Sequence, residues 1–185
     1  MKAKLVKETL NFERTPQNVT SAMGLGKVAK IHKFFKESSV KPESCIIDDD
    51  LNVTVKGNLF LADHSQQTLP DNLTVEGWVD LSRCDLKELP KRFTVMGNLT
   101  LKYTEFLTTL PPDIKVIGNI NLRGSAISSL PDNLNVPGFL NLEHTTRLYH
   151  LPENLTVGDN LLLVGSSVNK RNLPKSLKVK GKIKT

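Results

Sequence analysis

The sequence predicts a mainly β chain: a parallel β-solenoid of about six to seven short rungs over residues 47–185, behind an N-terminal α-containing cap over residues 1–46. Three observations predict it. Glycine recurs as Gly57, Gly77, Gly97, Gly118, Gly138 and Gly181, with Asp159 in the remaining slot, in steps of 20 to 22 residues. Leu-Pro recurs in the same step, at Leu69-Pro70, Leu89-Pro90, Leu110-Pro111, Leu130-Pro131, Leu151-Pro152 and Leu173-Pro174. Two independent columns sharing one period mark a stacked repeat. Within each unit the apolar residues alternate, as in Leu73, Val75, Val79 and Leu81 or Ile114, Val116, Ile120 and Leu122. A period of two means extended chain with one face inward.

Each position in the unit has a physical reading. The glycine sits between two alternating runs, where the chain needs a bend, a bulge or a close backbone approach. A small residue follows the second run (Cys84, Thr104, Ser125, Thr145, Ser166), then a third apolar corner (Leu86, Phe106, Ile127, Leu148, Val168). Proline has no N–H and disfavours helix in the residue before it, so Leu-Pro suits a turn between rungs. The gaps between corners are too short for a helix of ordinary length. One rung buries too few side chains to offset the ordering of its own backbone, so rungs must share hydrogen bonds with neighbours and end in atypical caps. The residue after the glycine is Asn58, Asn98, Asn119 or Asn160 in four rungs, which predicts a ladder of asparagines pairing their side chains between strands.

The pattern Leu-x-Leu-x-x-(Thr/Ser/Cys)-x-(Ile/Leu)-x-x-Leu-Pro resembles the short leucine-rich repeat of bacterial proteins. Leu99-Thr100-Leu101 with Thr104, and Ile120-Asn121-Leu122 with Ser125 and Ile127, carry the likeness, which covers about residues 51 to 185. It implies a leucine-rich-repeat-like solenoid that binds protein on its strand face. The chain departs from that family in having Thr, Ser or Cys where Asn is usual. It also has an extra Leu-x-Val-x-Gly before each strand, which implies a second sheet. The opening residues, Met1 to Phe12, are similar to uncharacterised repeat proteins of tailed bacteriophages. That likeness implies a phage-encoded protein acting in the cytoplasm of a bacterial host, as an inhibitor of a host or defence protein.

Residues before the repeat read differently. Lys4-Leu5-Val6 suits a short strand, and Phe12 to Gly26 a loop broken by Pro16, Gly24 and Gly26. Lys27 to Ser38 sets Val28, Ile31, Phe34 and Phe35 at helical spacing, with Lys30, Lys33 and Lys36 opposite. The spacing predicts a helix covering the open end of the solenoid. Asp48-Asp49-Asp50 reads as a solvated turn, since Leu51-Asn52-Val53 lacks the alternating oxygen ligands of a calcium loop.

Candidate functional residues lie on the outward columns. Trp78 and Phe139 interrupt the asparagine column, and Phe60 and Leu162 do the same two residues on, beside Asp80, Thr100, Asn121 and Asn141. Tyr103 and His144 follow one step further along. Large apolar side chains on a face that should be wet are candidates for protein binding, so Trp78, Phe139, Phe60, Leu162 and Tyr103 form the expected set. The rival expectation is nucleic acid. Residues 1–44 hold nine Lys/Arg against four Asp/Glu, and residues 170–185 hold seven against none, leaving an acidic middle. Lys178, Lys180, Lys182 and Lys184 with Lys30 and Lys33 would form the polyanion contact, whereas the same terminal lysines have a structural reason in blocking edge-to-edge stacking. No catalytic triad, phosphate loop or paired carboxylates emerge, so the expectation is a non-enzyme without cofactor. His64 and Cys84 share a rung position, but two ligands do not make a zinc site. Cys45 and Cys84 suggest no disulfide framework, which fits a reducing cytoplasm. No apolar run reaches the length of a membrane span.

Overall fold

The computed structural model describes residues 22–38, 40–63, 68–169, 171 and 173–185. Helix α1 (Ala22–Glu37) leads into a short 3₁₀ turn (Pro42–Ser44) and strand β1 (Cys45–Ile47). Seven rungs follow, each of two short strands joined at the glycine corner. The pairs are β2 (Val53–Val55) with β3 (Leu59–Phe60), β4 (Leu73–Val75) with β5 (Val79–Asp80), and β6 (Thr94–Val95) with β7 (Leu99–Thr100). Then come β8 (Lys115–Val116) with β9 (Ile120–Asn121), β10 (Asn135–Val136) with β11 (Leu140–Asn141), β12 (Thr156–Val157) with β13 (Leu161–Leu162), and β14 (Lys178–Val179) with β15 (Ile183–Lys184).

The second strands stack in parallel as one seven-stranded sheet, β15-β13-β11-β9-β7-β5-β3, and keep a single register throughout. The first strands form the second sheet implied by Leu-x-Val-x-Gly, but in two pieces: β1-β2-β4-β6-β8 and β10-β12-β14. Proline explains the break. Along this sheet the N–H after each valine donates to the valine carbonyl one rung back: Met96 to Val75, Ile117 to Val95, Gly158 to Val136. Pro137 holds that position in the fifth rung and has no N–H to give to Val116.

Inward residues of both sheets fill one continuous core. Val55, Val75, Val95, Val136 and Val157 face Leu59, Val79, Leu99, Leu140 and Leu161, and all ten are almost fully excluded from solvent. The glycine column exists because of a close approach. A Cβ on Gly97 would lie 2.8 Å from the carbonyl oxygen of Gly77 and 2.9 Å from the N of Trp78. Asp159 does hold the missing slot: its N–H donates to Gly138, and Gly181 donates to Asp159.

Three expectations need correcting. Phe106 is not the apolar corner of its rung; it is 49% exposed and Leu107 is buried instead. That rung carries 21 residues, and its extra residue lies at this corner, which moves the inward position on by one. The helix begins at Ala22 rather than Lys27, so residues 22–26 are not loop. Burial of Ile31 and Phe34 in the core outweighs the low helix propensity of Gly24 and Gly26. The asparagine side chains do not pair with one another; each accepts a backbone N–H of the next rung. The cap also contributes β1, which pairs antiparallel with β2, so the first sheet starts within the cap. The strand expected at Lys4-Leu5-Val6, the loop over residues 12–21 and the position of His64 lie outside the described residues.

Helix α1 packs against the core, with Phe34 fully buried and Val28 and Phe35 partly buried, and its Lys30 pairs with Asp71. Asp48 closes the hairpin between β1 and β2: its carboxylate accepts the N–H groups of Asp50 and Asn52 and the Asn52 side-chain amide. Asp48, Asp49 and Asp50 are all exposed, a solvated turn.

Candidate interaction face

The outward side of the seven-stranded sheet is ruled by its asparagine column. Asn58 Oδ1 accepts the N–H of Trp78 at 3.0 Å, Asn98 that of Asn119 at 2.9 Å, Asn119 that of Phe139 at 2.8 Å, and Asn160 that of Lys182 at 2.9 Å. The glycine corner leaves these N–H groups outside the strand ladder, and a short amide side chain reaches them from the rung before. Trp78 and Phe139 carry no acceptor, so at those two rungs the column gives up a hydrogen bond and presents an aromatic ring instead.

Those rings are on the surface. Phe60 is 58% exposed and Trp78 40%, and they meet edge to face with centroids 6.3 Å apart. Phe139 and Leu162 are half-buried. Strand register places Phe60 and Leu162 in one column and Trp78 and Phe139 in the next. Phe60 and Trp78 lie on the first two rungs, and Phe139 and Leu162 on the fifth and sixth. Asn98, Thr100, Asn119 and Asn121 occupy the two rungs between them.

Tyr103 sits further along the strand in the left-handed backbone region, φ 56°. The same turn position is taken by Asp63, Arg83, Gly124, His144 and Gly165, all at positive φ. Two of these glycines make room for rings. A Cβ on Gly124 would lie 2.6 Å from the Tyr103 ring, and one on Gly165 would lie 2.5 Å from the His144 imidazole. The Tyr103 ring is held on its other side by the Arg83 guanidinium at 5.9 Å, which itself pairs with Asp63 at 3.1 Å. The Arg123 guanidinium pairs with the Glu143 carboxylate, and the neighbouring Tyr103 and Glu143 raise its pKa above an already high value. Tyr103 is therefore tied into the polar edge of the face rather than gathered with the other aromatic residues.

Three residues of this region escaped the sequence reading. Met96 and Ile117 are 52% and 49% exposed at the position just before the glycine, on consecutive rungs. Val164 is exposed on the sixth rung, two residues beyond Leu162. The alternation that marks Val95, Val116 and Leu163 as inward marks these as outward, so comparing outward columns for apolar residues would have found them.

The polyanion set is not brought together. Lys30 pairs with Asp71 at 3.1 Å beside the first rungs. Lys178, Lys180, Lys182 and Lys184 are exposed on the seventh rung, at the opposite end of the stack. A groove of about 700 Å³ beside α1 mixes Lys30, Lys33, Lys87 and Lys91 with Asp71, Asp85 and Glu88, so it offers an anion no uniform field. Among the described residues no three His, Cys, Asp or Glu side chains gather as a metal set. Cys84 is buried, with its thiol donating to the Leu61 carbonyl. No helix among the described residues is long and apolar enough to cross a membrane. Set against protein-family models, curated proteins and solved structures, the chain matches none of them.

Proposed function

We propose that this chain is a non-enzymatic protein-interaction module whose contact surface is the outward face of the seven-stranded sheet. One observation carries the reading: the asparagine column is interrupted at Trp78 and Phe139, where a backbone hydrogen bond is given up and an aromatic ring stands on the outward face, exposed at Trp78 and half-buried at Phe139. A purely structural column would keep asparagine there. Rigid, half-exposed aromatic side chains on a regular scaffold bind with little loss of side-chain entropy. The likeness to leucine-rich repeats supports a protein target. The likeness of Met1 to Phe12 to phage repeat proteins supports a host protein, such as a defence component, met in the host cytoplasm. Affinity capture from a bacterial host with the wild type, Trp78→Ala and Phe139→Ala as parallel baits tests this. The reading expects a protein retained by the wild type and reduced at least tenfold with either variant; equal retention by all three overturns it.

The alternative of nucleic-acid binding draws on the four exposed lysines of the last rung. It expects DNA or RNA retention that falls steeply with salt and with loss of Lys178, Lys180, Lys182 and Lys184. Lys30 is already paired with Asp71 and Lys182 and Lys184 extend the strand columns, so the geometry favours the first reading.

A further inference from the structure

We infer that in the free protein this face is covered by a second copy of the chain, docked face to face about a two-fold axis that runs parallel to the strands. The inference rests on the reading above that the seven-stranded sheet binds protein. Such an axis keeps each outward column opposite itself and reverses the order of the rungs, so the first rung meets the sixth, the second the fifth and the third the fourth. Strand register then fixes every opposition. Phe60 meets Leu162, and Trp78 meets Phe139. Each large apolar side chain of these columns finds an apolar counterpart, which is the self-complementarity a two-fold interface demands. Near the axis, Asn98 meets Asn119 and Thr100 meets Asn121, groups that can hydrogen-bond either way round.

The alternative two-fold, along the stack, reverses the columns instead. It would set Phe139 against Glu143 and Asp80 against Asp80, so the pattern selects one axis. One opposition in the selected arrangement is unfavourable: Lys102 meets Arg123, eased by Glu143 one rung away. Six rungs at about 4.8 Å and a face about 20 Å wide give on the order of 500 Å² per copy, the low end for a specific interface. The dimer should therefore dissociate in the micromolar range.

The test is sedimentation velocity of the 185-residue protein over a concentration series, read as mass against the 20.6 kDa monomer. Wild type should shift to twice that mass as concentration rises through micromolar. Trp78→Lys and Phe139→Asp should each weaken self-association by about 30-fold or more, because the symmetry counts each change twice. Mixed together they should recover a heterodimer, since the introduced ammonium of one copy then faces the introduced carboxylate of the other while the second Trp78–Phe139 contact is intact. Thr100→Cys mixed with Asn121→Cys should cross-link between copies without help from Cys45 or Cys84, which are buried, and this pair leaves the apolar contacts untouched should the charged variants misfold. A monomer at every concentration, a dimer that survives both charged variants, or folded variants that do not recover on mixing would each overturn the inference. A monomeric wild type leaves the capture comparison with Trp78→Ala standing, so the two readings fail separately.

Discussion

The side-chain carbonyl of Asn98 accepts the backbone N–H of Asn119 at 2.9 Å, one rung further along the stack. It supplies the acceptor that the bend at the glycine corner removes from the strand ladder. Asn98→Ala should lower stability by about 1 kcal/mol, read by urea denaturation, while Asn98→Asp keeps an acceptor and loses less. Trp78→Asn extends the same column. It gains a bond to Asn98 but loses the edge contact with Phe60, so stability should stay within about 1 kcal/mol of wild type. Capture of a partner should nevertheless be lost. A Trp78→Asn protein that unfolds early would mean the ring is there for packing.

Gly97 and Gly26 should respond in opposite ways to alanine. At Gly97 the new methyl meets backbone atoms at 2.8–2.9 Å, which cannot move without parting two rungs. Overpacking of this kind costs about 1–3 kcal/mol. At Gly26 nothing lies within 4 Å, and alanine favours the helix by about 0.5–1 kcal/mol. Thermal melts of the two variants beside the wild type give the comparison.

Ser125 and Thr145 occupy the same corner of successive rungs but differ in pairing. The Thr145 hydroxyl donates to the Leu142 carbonyl at 2.7 Å, whereas the buried Ser125 hydroxyl has no partner among the described residues. Thr145→Val should cost about 1 kcal/mol, and Ser125→Ala should be neutral or mildly stabilising. Chemical denaturation of both decides it.

Burial pushes the Cys45 thiol up to about 11, with Glu43 adding to the shift. A folded-state pKa above the unfolded value of 9.0 gives stability that is complete below pH 9 and lost as pH rises through 11. The loss over that window should be up to roughly 2–3 kcal/mol larger for wild type than for Cys45→Ala. Native Cys45 should also resist alkylation at pH 8 and react once urea is added.

How far the sequence reaches is clearest at particular residues. The period of Gly77, Gly97 and Gly118 and the alternation of Leu73, Val75, Val79 and Leu81 determine the rung, because a repeat can bury its aliphatic edge only by stacking on itself. They also fix which side chains face out, so Trp78, Phe139, Phe60 and Leu162 were legible as surface residues before any coordinates. Three-dimensional packing alone decided the rest. Whether Phe106 or Leu107 turns inward depends on where a 21-residue rung absorbs its extra residue, and whether Asn98 bonds a side chain or a backbone N–H depends on the height of one rung above another. The break in the first sheet at Pro137 follows from a missing donor that matters only once Val116 lies beneath it. The pairing of Phe60 with Trp78 joins two columns that the sequence separates, because local alternation carries no information about which rung-to-rung diagonal two rings will share.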